Sequence, residues 1–432
     1  MKYFSTNNPK HQVSLAEAVI KGLAPDNGLY MPERIPVLPQ AFFDQLPEMS
    51  FQEIGYQVIG ALFSEDLSQS QIKELVDHTL TFDAPLIKVE EGIYSLELFH
   101  GPTLAFKDFG ARFCSKLMSM LVQGKEQKIR VLVATSGDTG SAVANGFLGV
   151  EGVEVIILFP KGKVSPLQEK QFTTLGRNIT ALEVEGVFDD CQTLVKQAFL
   201  DPELNEKLLL TSANSINIAR WIPQCLYYFY AYSRLPKTGK KVVFSVPSGN
   251  FGNIGAGILA QRMGLPIDHF VAATNVNKVV PDYLQGQPFV AKPSVQTVSN
   301  SMDVGNPSNF PRLLALYEGD EDQFREKVKG YFYTDAQTIE AIQQVKPTGY
   351  TLDPHGAVGY LGLKDFMKSN PGYFGVFLET AHPGKFKDVV EDALGEKLIL
   401  PERLAAFLEG EKKVIGMGKE FREFKEFLEG LD

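Results

Sequence analysis

A lysine at position 107 is the first feature of this sequence that points to chemistry. Lys107 lies in the segment 98–108, Leu-Phe-His-Gly-Pro-Thr-Leu-Ala-Phe-Lys-Asp, in apolar surroundings after a Gly-Pro turn. Burial lowers the pKa of a lysine because desolvation disfavours the ammonium, and a neutral amine can form a Schiff base. The local sequence alone favours a surface lysine paired with Asp108, so the chemical interpretation depends on the other segments.

Two loops of small residues can bind anions. Residues 135–140 read Thr-Ser-Gly-Asp-Thr-Gly and residues 247–253 read Pro-Ser-Gly-Asn-Phe-Gly-Asn, and each follows an apolar run and precedes a helical pattern. Small residues let backbone N–H groups close around an anion, and a helix N-terminus adds a partial positive charge. The first loop suits a carboxylate or a phosphate and the second a phosphate, with plain turns and helix caps as the structural alternative. The second loop is neither a Walker A motif nor a G-x-G-x-x-G fingerprint.

A fourth segment, 380–386, reads Thr-Ala-His-Pro-Gly-Lys-Phe and follows the apolar run 376–378. A hydroxyl at Thr380 can exchange a hydrogen bond with a ring nitrogen. The commoner role of a threonine before a helix is to cap it, and this alternative stays open.

The elements that must position these segments alternate between β-branched runs and helical patterns. Such alternation predicts an α/β fold of parallel sheets with helices on both faces, in which ligands bind at the carboxyl ends of the strands. Residues 1–95 are predicted to be helical and irregular, and residues 402–432 to form an amphipathic surface helix. The predicted strands are 129–134, 155–159, 179–184, 208–210, 242–246, 270–273 and 375–378, and the predicted helices are 140–148, 166–175, 189–199, 222–233, 254–263, 354–367 and 385–394.

Composition narrows the possible classes of protein. The 432 residues carry 42 Lys and Arg against 52 Asp and Glu, a net charge of −10, which argues against a nucleic-acid or anionic-membrane binder. Three cysteines, Cys114, Cys191 and Cys225, form neither a disulfide framework nor a zinc motif, so no metal site is predicted. With no signal-peptide pattern and no apolar stretch long enough to span a bilayer, we expect a soluble cytoplasmic protein.

The order of the four segments resembles that of the pyridoxal-phosphate (PLP) enzymes of the tryptophan synthase β-subunit type, and within them the threonine synthase family. The resemblance covers about residues 12–400 and is supported by the strings at 26–32, 98–108, 161–163, 214–217 and 300–304. It implies the PLP-dependent fold type II, with two α/β domains and an N-terminal segment. The implied division is 1–95 for the N-terminal segment, 96–110 and 211–400 for the large PLP-binding domain, 111–210 for a small inserted domain and 401–432 for a helical tail.

The same resemblance assigns roles to site residues. It implies that Lys107 binds PLP covalently and acts as the catalytic base, and that Thr380 bonds the pyridine nitrogen. Asp138 stands where many relatives carry Asn beside the cofactor's phenolate oxygen, and an ionised Asp there would repel the phenolate. The implied cofactor-phosphate loop is Gly249, Asn250, Phe251, Gly252 and Asn253, and the implied substrate-carboxylate turn includes Ser136, Gly137, Thr139 and Gly140.

The implied reaction is the conversion of O-phospho-L-homoserine and water to L-threonine and phosphate by a lyase of threonine biosynthesis. A second anion pocket must hold the substrate phosphate, and its candidates are Lys163, Arg112, Asn217 and Arg220. His100 and His382 are left between structural and catalytic roles.

Several alternatives to this reaction stay open. In the same cofactor class they are a phospho-lyase that releases 2-oxobutyrate, and the serine or threonine dehydratases and cysteine synthases. The others are a non-catalytic ligand-binding relative and a nicotinamide-dependent dehydrogenase. The resemblance favours a monomer with small-molecule partners only, and a small domain that closes over the substrate.

Overall fold

The computed structural model describes residues 1–123, 127–237 and 239–431. Residues 124–126, 238 and 432, which the predicted division assigns to the small domain, the large domain and the tail, lie outside the described residues. The strands in chain order are β1 (Tyr3–Ser5), β2 (Gln12–Val13), β3 (Tyr30–Pro32), β4 (Leu86–Glu90), β5 (Ile93–Glu97), β6 (Ile129–Ala134), β7 (Val153–Pro160), β8 (Ile179–Val184), β9 (Leu209–Ser212), β10 (Lys241–Pro247), β11 (His269–Thr274), β12 (Val328–Phe332), β13 (Tyr373–Glu379) and β14 (Ile415–Met417).

Helices cover both faces of the sheets, and short 3-10 turns extend several of them. The α-helices are α1 (Leu15–Lys21), α2 (Gln40–Gln45), α3 (Phe51–Phe63), α4 (Gln69–Thr79), α5 (Lys107–Val122), α6 (Asp138–Phe147), α7 (Pro166–Thr173), α8 (Phe188–Leu200), α9 (Pro202–Lys207), α10 (Ile218–Trp221), α11 (Cys225–Ser233), α12 (Gly252–Arg262), α13 (Val279–Leu284), α14 (Phe310–Leu316), α15 (Glu321–Lys327), α16 (Asp335–Val345), α17 (Pro354–Ser369), α18 (Lys387–Leu394), α19 (Glu402–Glu409) and α20 (Phe421–Glu429). The 3-10 turns are Leu46–Glu48, Ile222–Gln224, Asn300–Met302, Lys346–Thr348 and Pro383–Phe386.

The larger sheet has the strand order β12-β11-β10-β13-β5-β4, and all its pairs are parallel except β4 with β5. β10 is a continuous run of buried residues after Lys241, as expected for a strand covered by helices on both faces. Because β10 and β13 are neighbours, the loops that follow them leave the same edge of the sheet. This arrangement brings the predicted phosphate loop and Thr380 to one place.

The second sheet has the order β14-β8-β7-β6-β9 and is entirely parallel. Three of its strands lie within the predicted small domain, and β9 crosses the predicted boundary at residue 210. β14 is added from the C-terminal segment, with Ile415 opposite Leu182. Phe424 and Leu428 of α20 are fully buried in the core of this sheet. The C-terminal segment is therefore two helices and a strand packed into the sheet, rather than the single surface helix that its amphipathic pattern indicated.

Each predicted strand is present, and its ends lie within two residues of the prediction. The prediction missed β1–β3, which form an antiparallel sheet, together with β4, β5, β12 and β14. β1, β2 and β3 have two or three residues each, too few for an alternating pattern to be read from sequence. Among the described residues, the helices are too short or too polar for any of them to traverse a lipid bilayer.

Candidate active site

Lys107 is the first residue of α5, and the loop before it is held by the segment that follows β13. The N–H of Phe106 donates to the carbonyl of Thr380 at 2.9 Å, and the N–H of His382 donates to the carbonyl of Leu104 at 3.1 Å. Leu104 itself has φ 57°, a strained conformation for a leucine, and such strain concentrates at functional sites. Thr380 is buried, and its hydroxyl forms no hydrogen bond with the described residues.

The carboxylate of Asp108 is bonded to Thr103 and not to Lys107. It accepts from the N–H and the hydroxyl of Thr103 at 2.8 and 2.7 Å and so fixes the turn before α5. Lys107 forms no ion pair with any residue that the structure describes. The alternative of a surface lysine paired with Asp108 is therefore wrong.

Desolvation lowers the pKa of Lys107 to about 8. The negative charge of Asp138 opposes this shift, whereas the positive charges of Lys385 and Arg220 add to it. The neutral, reactive amine of Lys107 is thus more accessible near physiological pH than that of an exposed lysine.

The loop between β10 and α12 presents backbone N–H groups without acceptors. No acceptor among the described residues bonds the N–H groups of residues 249–254, although the chain from Phe251 onward is buried. Buried helix N-termini need a partner for these groups, and an anion is a common one. A Cβ at Gly249 would lie 2.8 Å from the Cα of Met302, so only glycine fits there. Phe251 has φ 61°, a second strained residue in a site loop.

The Asn253 side chain is oriented by two tyrosines. Its Oδ1 accepts from the hydroxyls of Tyr227 and Tyr228 at 2.6 and 2.8 Å. Its Nδ2 is buried without a hydrogen-bond partner among the described residues. The amide is therefore held with its donor side free, as a binding group for an anion must be.

The loop between β6 and α6 differs, because one side chain within it already satisfies part of its backbone. The hydroxyl oxygen of Thr135 accepts from the N–H groups of Gly137 at 3.0 Å and Gly140 at 2.8 Å. This corrects the expectation that both glycines present free N–H groups to a substrate carboxylate. The N–H groups of Ser136, Asp138 and Thr139 have no acceptor in the part of the chain that the structure describes.

Asp138 is buried and held by two side chains that sequence reasoning did not assign to the site. The ammonium of Lys385 lies 2.7 Å from its Oδ1, and the amide of Gln168 donates to the same oxygen at 2.8 Å. Burial would raise the pKa of Asp138, but the charges of Lys385 and then Lys107 hold it well below its usual range. Lys385 lies in the segment 380–386, which the sequence analysis singled out for Thr380. The signal that could have identified it is a lysine shortly after a predicted strand.

Two of the four residues predicted for the substrate phosphate are occupied elsewhere. The guanidinium of Arg112 donates to the carbonyl of His78 at the end of α4. The amide nitrogen of Asn217 donates to the carbonyls of Val19 and Ser212, both at 2.9 Å, and its oxygen caps α10. Asn217 has no donor left for a phosphate, so that prediction is wrong. Arg112 uses two of its five guanidinium N–H groups and stays a candidate.

The other two candidates keep free donors. Arg220 is buried near Lys107, donates one Nη1 bond to the carbonyl of Ala213, and has an Nε without a partner among the described residues. Lys163 is exposed after β7 and forms no ion pair with the described residues. Together with Arg112, these two cations remain the candidates for the substrate phosphate.

The two histidines near the site have structural contacts. His382 Nδ1 accepts from the N–H of Gly384 at 3.0 Å, and burial lowers the pKa of its imidazole. His100 Nε2 lies 2.8 Å from a carboxylate oxygen of Glu97. The geometry favours the structural alternative for both.

Comparisons with known proteins agree with this geometry. The family described as threonine synthase N terminus matches residues 2–80, the pyridoxal-phosphate dependent enzyme family matches 78–372, and the threonine synthase C-terminal family matches 356–428. The threonine synthase of Haemophilus influenzae is 48% identical over 405 residues, which cover 94% of each chain.

Solved structures give the same result. The crystal structure of threonine synthase from Escherichia coli superposes with a TM-score of 0.93 at 42% identity and covers 100% of both chains. The PLP-bound threonine synthase from Brucella melitensis has a TM-score of 0.92 at 34% identity and covers 99% of this chain and 98% of its own. Maize serine racemase, at 15% identity and a TM-score of 0.56, shares the fold alone. The predicted α/β fold and PLP dependence are confirmed, and the chain belongs to the threonine synthase family.

Proposed function

We propose that this protein converts O-phospho-L-homoserine and water to L-threonine and phosphate, with pyridoxal 5'-phosphate as its cofactor. The observation that carries the proposal is the unpaired amine of Lys107, which has a pKa of about 8. The residue before it is bonded to Thr380, and Thr380 and the loop 248–253 follow neighbouring parallel strands at the same edge of the sheet. The choice of O-phospho-L-homoserine as the substrate rests on the similarity of this chain to threonine synthases.

The residues present fit the cofactor. The unsatisfied N–H groups of residues 249–254 and the free amide of Asn253 would hold its phosphate, and the hydroxyl of Thr380 would bond its ring nitrogen. Lys107 would hold it covalently, since a desolvated amine is the form that reacts. When bound, the cofactor withdraws electrons from the substrate α-carbon and so acidifies its protons.

The proton transfers fall to Lys107. With a pKa close to the working pH, the free amine of Lys107 would take the proton from the substrate α-carbon. It would also take a proton from the β-carbon, because the C–O bond at the γ-carbon can break and release phosphate only with the electrons of that C–H bond. Its charged form would return protons to the γ-carbon and the α-carbon, while water adds its hydroxyl at the β-carbon and leaves its other proton to the phosphate.

The two ends of the substrate need separate anion sites. The free N–H groups of Ser136, Asp138 and Thr139 at the start of α6 suit the carboxylate. Arg220, with an unused Nε, and the exposed Lys163 supply positive charge for the departing phosphate. The division into domains and the closure of the small domain over the substrate belong to this proposal.

The monomeric state, the location in the cytoplasm and the lack of a nucleic-acid partner remain predictions.

The test is to load the purified protein with PLP, add O-phospho-L-homoserine, and measure phosphate and threonine. Equal amounts of both are expected. Phosphate with 2-oxobutyrate in place of threonine would identify the phospho-lyase instead, and no phosphate release would overturn the proposal.

The Lys107→Ala variant should lose about 10³-fold or more in activity, because it removes both covalent attachment and the base. The matched control is Lys116→Ala on the same helix, where the lysine pairs with Glu74 at the surface. Its activity should be unchanged.

A further inference from the structure

Lys385 is a buried cation at the centre of the candidate site. Its side chain has no exposed surface, and its ammonium contacts Oδ1 of Asp138 at 2.7 Å and donates to the carbonyl of Thr103 at 2.8 Å. It lies in the 3-10 turn Pro383–Phe386 after β13, so it connects the larger sheet to the start of α6 in the second sheet. A buried lysine is retained only with a partner, and here the partner is a residue of the site itself.

Asp138 acts on two amines at once. Its negative charge raises the pKa of Lys107, and Lys107 in turn lowers the pKa of Asp138, second among the neighbouring charges only to Lys385. Without Lys385, the carboxylate would have Lys107 as its remaining cationic neighbour. An ion pair of that kind stabilises an ammonium, which is the unreactive form of the lysine.

We propose that Lys385 is a positioning residue that engages the Asp138 carboxylate and thereby leaves the amine of Lys107 unpaired and reactive. The proposal rests on the proposed function only in naming Lys107 as the amine that binds PLP. It also accounts for an aspartate at a position where an ionised carboxylate next to the cofactor oxygen is unfavourable, because Lys385 neutralises the charge.

The charged and titratable groups around Lys385 come from four elements. Asp138 begins α6, Lys107 and Asp108 begin α5, Arg220 lies in α10, and His382 precedes the turn of Lys385. Asp108 is fixed by Thr103, and Arg220 lowers the pKa of Lys107 in the same direction as Lys385. The reactive state of Lys107 is thus set mainly by burial and by whether Asp138 is neutralised.

The experiment measures the reactivity of Lys107 directly. Protein freed of cofactor is mixed with PLP at pH values from 6 to 10, reduced briefly with borohydride, and digested, and mass spectrometry gives the fraction of Lys107 that carries the pyridoxyl group. In the unmodified protein this fraction should rise through about pH 8.

The Lys385→Met variant should shift the midpoint upward by about one pH unit or more, because Asp138 then stabilises the Lys107 ammonium. The double variant Lys385→Met with Asp138→Asn should return the midpoint to the original value or below it. A purely structural role for Lys385 would not produce this rescue. The matched control is Lys387→Met, two residues along the chain, where the lysine pairs with Glu391 away from the site.

An unchanged midpoint in Lys385→Met, or an upward shift that persists in the double variant, would overturn the proposal. Should Lys385→Met fail to fold by circular dichroism, Asp138→Asn alone decides, since it must lower the midpoint. The same unmodified preparation is assayed with O-phospho-L-homoserine. Shifted midpoints without threonine formation would refute the proposed function and leave this inference standing. Threonine formation without shifted midpoints would support the proposed function and overturn this inference.

Discussion

The starts of α6 and α12 are built from similar loops but differ in the charges that lie against their N–H groups. Both follow a parallel strand through a loop of small residues, and both carry a glycine that close neighbours force to be glycine. At α6 the loop amides are partly satisfied by Thr135, and an ionised aspartate is already present with its lysine. At α12 the amides are open and the described residues place no carboxylate against them.

The difference indicates what each helix start can bind. An open set of N–H groups suits a permanent dianion such as a cofactor phosphate. A start that already holds Asp138 and Lys385 is close to neutral and suits a singly charged group that comes and goes, such as a substrate carboxylate. Two loops that are alike in sequence are therefore distinguished by contacts from distant parts of the chain.

The largest effect on this comparison should come from Asp138→Asn, which leaves Lys385 buried without a counter-charge. Breaking a buried pair costs about 3–5 kcal/mol, so urea unfolding at pH 7 should show a loss of that order. Because the pKa of Asp138 is depressed in the folded protein, the pair contributes fully above the unfolded pKa of about 4. The loss should stay constant from pH 7 to 5 and shrink only below pH 4.

The control is Asp77→Asn, which breaks the exposed pair with Lys73 on α4 and should change stability little. Equal losses in the two variants would mean that the pair at α6 is no different from a surface ion pair.

A smaller effect is expected from Gly249→Ala at the other helix start. The added Cβ would lie 2.8 Å from the Cα of Met302 and 3.0 Å from the carbonyl oxygen of Ser301, backbone atoms that cannot rotate away. Overpacking of this kind costs about 1–3 kcal/mol, so the affinity for PLP should fall about five- to 100-fold in an absorbance titration. Gly60→Ala in α3, where nothing lies within 4 Å of the added atom, should bind PLP normally.

The smallest effect should come from Tyr227→Phe, which removes one of the two hydrogen bonds that orient Asn253. The net value of such a bond is about 0.5–1.5 kcal/mol, which predicts a loss of PLP affinity of about two- to tenfold. Tyr232→Phe is the control, since the hydroxyl of Tyr232 bonds no described residue. An unchanged affinity in Tyr227→Phe would show that the Asn253 amide does not contact the cofactor.

Sequence patterns predicted the parallel strands because their buried β-branched runs are local signals. They also singled out the two loops at 135–140 and 247–253, since both follow a strand directly, whereas Lys107 was chosen through the family resemblance. The role given to Asn217 failed because its partners are backbone carbonyls, which any residue type provides. Lys385 was not assigned to the site because its partner, Asp138, begins α6 and is distant in the sequence. Only the fold brings the two side chains into contact.

The most direct test of the contrast between the two helix starts is a crystal structure of the protein loaded with PLP. Phosphate oxygens within about 3 Å of the N–H groups of residues 249–253, with the Asp138–Lys385 pair intact, are the predicted result. A phosphate bound at residues 136–140, or a Lys107 amine paired with Asp138, would contradict it.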